Sequence, residues 1–69
     1  MNELHFEVDV EFHHGDVAAA FDGDSFAAAV RAARELLTSP WRDGGIVRIW
    51  RTDVFPEQKM FERKAQVQA

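Results

Sequence analysis

Leu4-His5-Phe6-Glu7-Val8-Asp9-Val10-Glu11-Phe12 alternates apolar and polar side chains at every step. A period of two marks a half-buried strand, because successive side chains of an extended chain point to opposite faces. Leu4, Phe6, Val8, Val10 and Phe12 therefore face a core, while His5, Glu7, Asp9 and Glu11 face outward, with Glu3 and His13 extending the polar side. The stretch implies an antiparallel sheet with one wet face, and it lines up three carboxylates on that face.

The neighbouring segments supply the rest of the sheet. His14-Gly15 reads as a two-residue turn, since such turns need residues that tolerate positive φ and Gly fills that role. It leads into a second strand over 16–21, expected to pair Phe12 with Val17, Val10 with Ala19 and Val8 with Phe21, all on the core side. Asp22-Gly23-Asp24-Ser25 breaks this strand and offers Asp24 or Ser25 as a helix cap. Phe26, Ala29, Val30, Ala33, Leu36 and Leu37 then recur at helical spacing, with Arg31, Arg34, Glu35 and Thr38 opposite, until Pro40 stops the helix near Ser39.

Trp41-Arg42-Asp43-Gly44-Gly45 reads as a loop, with Trp41 expected over the end of the core, and a β-branched strand follows over 46–51. Its Val47 and Ile49 lie on one side, and Ile46, Arg48 and Trp50 on the other. Phe55-Pro56-Glu57-Gln58 reads as a turn with proline second. The last strand spans 59–67, with Phe61, Ala65 and Val67 inward and Met60, Glu62, Lys64 and Gln66 outward. The expected fold is a single α+β domain over 1–69, ββαββ, whose four-stranded, mainly antiparallel sheet carries one amphipathic helix on one face.

Composition narrows the functional classes. A chain of 69 residues with 46% hydrophobic and 29% charged residues is globular rather than disordered. The absence of cysteine excludes disulfides and thiolate metal sites. No apolar run approaches the roughly 20 residues that span a bilayer, and MNELHFEV lacks a basic stretch followed by an apolar one. The expectation is a soluble, unprocessed, cytoplasmic protein without a membrane partner.

The charge is unevenly distributed along the chain. Residues 1–24 hold seven acids and no Lys or Arg, a formal −7, while 25–69 hold eight bases and five acids, a formal +3, giving the net −4. Either the two halves neutralise each other as neighbours in one sheet, or the acids form a surface that attracts basic proteins and repels nucleic acid.

Chemical motifs are sparse. His5 with Glu7, and Glu11 with His13, are spaced to chelate along a strand, but a metal site needs a third ligand and none is identifiable. Carboxylates in a row along one flat strand do not converge as acid–base catalysis requires. Ser25 reads as a cap rather than a nucleophile, and Gly44-Gly45 leads into no helix that would bind phosphate. No catalytic residue, metal or cofactor is assigned. Arg48, Trp50 and Arg51, the core of a basic and aromatic second half, are the candidates for stacking bases and holding phosphates. The acidic hairpin in the same sheet opposes such binding.

In layout, the cap and helix GDSFAAAVRAARELL followed by GGIVRIWR and KMFERKAQV resemble small phage-encoded inhibitors, in particular anti-CRISPR proteins acting on type I surveillance complexes. That resemblance implies a non-enzymatic protein occupying a functional surface on a larger assembly in the host cytoplasm, often a basic surface meant for nucleic acid. GDSFAAAV is also similar to the helix of small antitoxins that inhibit partial double-stranded-RNA-binding-type toxins, without that family's proline- and glycine-containing segment ahead of the helix.

The leading expectation is therefore a protein-binding inhibitor whose partner presents a basic surface, with a nucleoprotein complex among the candidates. Its candidate partner-binding residues are Glu7, Asp9, Glu11, Arg48, Trp50 and Arg51. The alternative is a small nucleic-acid-binding or antitoxin-like module. An exposed edge strand also leaves a homodimer open.

Overall fold

The computed structural model describes residues 4–38 and 45–65. Its elements run β1 (Phe6–Glu11), β2 (Val17–Gly23), α1 (Phe26–Thr38), β3 (Ile46–Arg51) and β4 (Gln58–Lys64). All strand pairs are antiparallel, in the order β2-β1-β3-β4. The ββαββ expectation holds, and the alternating strand lies in the middle of the sheet. Pro40, Trp41 and Val67, to which the sequence assigned a helix stop, a core cover and an inward strand position, fall outside the described residues.

Alternation in β1 does what its period requires. Phe6, Val8 and Val10 are buried, whereas Glu7, Asp9 and Glu11 are only half-buried on the other face. Val47 and Ile49 of β3 complete the sheet side of the core, and Ala29 and Ala33 of α1 close it from above. Short alanine side chains bring the helix close to the strands, and the Phe26 ring packs on Phe6 at 5.4 Å between centroids. Ser25 is the cap, its Oγ accepting the Ala28 N–H at 3.2 Å.

The first hairpin departs from expectation. Its loop has three residues, His13-His14-Gly15, closed by the Phe12 N–H donating to the Asp16 carbonyl and the Gly15 N–H to the Phe12 carbonyl, both at 2.8 Å. Gly15 adopts φ +102°, a conformation that favours glycine. The extra loop residue shifts the register by one, so Val10 pairs with Ala18 rather than Ala19, and Glu11 with Val17. Val17 and Ala19 thereby turn to the outer face, and Val17 is 59% exposed. Ala20 then bulges out of the pairing and restores Val8 opposite Phe21, which returns the Phe21 ring to the core side.

A second bulge corrects the last strand. Ile49 pairs with Phe61 and Trp50 with Lys59, so Met60 is skipped. Lys59 therefore joins the outer face, while Met60, expected there, lines a groove beside the helix. The β3–β4 loop passes through a cis Phe55–Pro56 bond.

Candidate functional site

The outer face can be read row by row, because residues paired across antiparallel strands point to the same side. In the order β2-β1-β3-β4, one row is Asp22, Glu7, Trp50 and Lys59; the next is Ala19, Asp9, Arg48 and Glu62; the third is Val17, Glu11, Ile46 and Lys64. The β2–β1 half thus carries four acids and no Lys or Arg, and the β3–β4 half carries three bases and one acid.

Across the β1–β3 seam the two halves neutralise each other. Arg48 donates from Nη1 to Glu11 Oε1 at 2.8 Å and from Nε to Glu62 Oε2 at 2.6 Å, its side chain only 19% exposed. Those two carboxylates hold the Arg48 pKa above its ordinary value, and Arg48 in turn pulls Glu62 below its own. Lys59 Nζ donates to the second oxygen of Glu62 at 3.2 Å. Trp50 Nε1 donates to Asp9 Oδ2 at 3.0 Å. Asp9 Oδ1 is buried without a hydrogen-bond partner among the described residues, and desolvation raises the Asp9 pKa despite the Trp50 bond and the nearby Arg48 charge.

The six residues singled out in the sequence therefore separate into three groups. Asp9, Glu11, Arg48 and Trp50 share the outer face and are bonded to one another or to Glu62. Glu7 shares the face, half-buried, and its carboxylate has no hydrogen bond or ion pair among the described residues. Arg51 pairs with Phe6, on the helix side of the sheet. There it grips Asp53 through Nε at 3.0 and 3.2 Å and Nη2 at 3.1 Å. This fork lowers the Asp53 pKa, and the same carboxylate accepts the His5 N–H at 3.3 Å. The clamp ties the start of the alternating stretch to the end of β3.

Asp22 was not legible as a site residue. It stands directly opposite Glu7, and His5 Nε2 reaches its carboxylate from the same face. The expected pairing of Val8 with Phe21 already implies that position, but the expected second strand ends at 21 with Asp22 as part of the break, whereas β2 runs on to Gly23 and keeps Asp22 in the sheet. Among the described residues no three His, Asp or Glu side chains come together to hold a metal ion, so the His5–Glu7 and Glu11–His13 spacings gain no third ligand. Among the same residues no helix is long and apolar enough to cross a membrane.

Comparison with protein-family models, with curated proteins and with solved structures finds no match to this chain.

Proposed function

We propose that this chain is a non-enzymatic binding protein that sets the acidic half of its open sheet face against a basic surface of a macromolecular partner. The observation that carries this reading is the Glu7–Asp22 juxtaposition: two carboxylates directly opposite on neighbouring strands, one of them without a cation among the described residues. Like charges in that position destabilise an isolated sheet, and a Lys or Arg from a partner would relieve the repulsion. A flat sheet face suits docking rather than enclosure of a substrate. An inhibitor that covers a basic, nucleic-acid-binding surface, as the likeness to anti-CRISPR proteins implies, is the specific form of this proposal.

The same geometry weighs against direct nucleic-acid binding. Arg48 and Trp50, its two central groups, are engaged with carboxylates, and Arg51 lies on the opposite side of the sheet.

Glu7→Lys tests the reading, because its effects on stability and on binding have opposite signs. A lysine opposite Asp22 replaces repulsion by attraction and should stabilise the fold by about 0.2–1 kcal/mol. Affinity capture from cells of the natural source, with bound proteins identified by mass spectrometry, should show a partner retained by the wild type in a salt-sensitive manner and lost by the variant. Equal capture by a folded Glu7→Lys protein would refute this face as the docking surface.

A further inference from the structure

The helix does not cover the whole sheet. It packs over β1, β2 and β3, and beyond it β4 forms the wall of a groove of about 290 Å³. Val30, Ala33, Ile49 and Phe61 line its interior. Phe26 and Met60 line it too, exposed to 43% and 42%. Met60 is present only because the β4 bulge turns it away from the outer face. A flexible thioether at the edge of an apolar groove is an adaptable contact surface.

The polar members of the groove are both guanidinium groups. Arg34 from the helix and Arg63 from β4 line it, and both are exposed. In a chain with twelve acids and eight bases, neither has an acidic partner among the described residues. Exposed guanidinium groups beside an apolar groove complement carboxylates, which they bind in planar, bidentate fashion. The volume is at the lower limit of small-molecule pockets, which run to roughly 300–1,000 Å³. It suits one or two inserted side chains of a chain segment that continues outside the groove.

From this we infer that the α1–β4 groove docks an acidic segment of a partner protein, inserting apolar anchors against Val30, Ile49 and Phe61 while flanking carboxylates pair with Arg34 and Arg63. The site lies on the opposite side of the sheet from Glu7 and selects the opposite charge, so it is independent of the acidic docking face. Its recognition mode is that of an amphipathic helix laid into a groove.

The probe is a synthetic helical peptide of ~12 residues with Leu and Phe at positions i and i+4 flanked by Glu, and a control with Lys in place of Glu. Binding is followed on the full chain by two-dimensional NMR of the methyl groups. The Glu peptide should shift the Met60 and Val30 methyl signals, and the Lys peptide should not. Arg34→Glu/Arg63→Glu, at two exposed positions and expected to leave the circular dichroism spectrum intact, should weaken the Glu peptide at least ~10-fold. Glu7→Lys should leave that affinity unchanged, which separates this site from the acidic face. Equal binding of the Lys peptide, shifts confined to other residues, or no shift up to ~1 mM peptide would overturn the inference. So would self-association that depends on the two arginines in sedimentation velocity, since the occupant would then be a second copy of the chain.

Discussion

Replacing Trp50 by Phe removes one defined interaction from the outer face, the indole N–H bond to Asp9 Oδ2 at 3.0 Å. Asp9 then loses its only side-chain hydrogen bond among the described residues, since Oδ1 already has none there. A hydrogen bond to a charged group contributes about 1.5–3 kcal/mol. Partial solvation of this carboxylate discounts that to about 1–2 kcal/mol, or roughly 4–16 °C in Tm for a domain of this size. The pH dependence isolates the bond. Burial places the folded-state pKa of Asp9 above its ordinary 3.8, and the Trp50 bond opposes that rise. Without the bond, the folded pKa climbs further from the unfolded value. Where Asp9 is protonated in both states, below about pH 3.8, this part of the deficit is absent; it develops as pH rises through the folded pKa. Loss of the larger indole surface contributes equally at every pH. Urea denaturation followed by circular dichroism at pH 3 and pH 7 measures both parts, and an Asp9→Asn background should abolish the pH-dependent one. A Trp50→Phe deficit of the same size at both pH values would refute the bond as a source of stability.

Ile49→Ala should destabilise by about 2–5 kcal/mol, because Ile49 is 1% exposed at the sheet centre and its truncation leaves a cavity under the helix. Against a total stability on the order of 3–10 kcal/mol for a domain of this length, the denaturation midpoint should fall steeply, with partial unfolding at 37 °C. Gly15→Ala should cost about 1 kcal/mol or more, since φ +102° is unfavourable for any residue with a Cβ; thermal melting equal to wild type would refute the loop geometry.

Reading β1 from the sequence succeeded because a period of two leaves little freedom: burying Phe6, Val8 and Val10 forces Glu7, Asp9 and Glu11 outward whatever the strand pairs with. The amphipathic helix, its Ser25 cap and the facing of Val47 against Arg48 follow from equally local rules. Hairpin register is different in kind. One loop residue, His13, and one bulged residue, Ala20, each reverse the side to which the following residues point, and together they leave Phe21 where a simple two-residue turn would have put it while turning out Val17 and Ala19. No local preference in an alanine-rich strand distinguishes the two arrangements.

The acidic character of the first hairpin was therefore set by sequence alone, and so was its layered ββαββ architecture. Tertiary structure decided which of those acids are left without a cation among the described residues. Arg48 lies 37 residues from Glu11, Trp50 lies 41 from Asp9, and only the β1–β3 pairing brings them together. The β1–β2 pairing likewise makes Asp22 the neighbour of Glu7, whereas Arg51 reaches the helix side by the alternation of β3 itself, in line with Val47 and Ile49. Facing is a local property of an extended chain, fixed within a few residues, whereas neutralisation depends on which distant strand comes alongside.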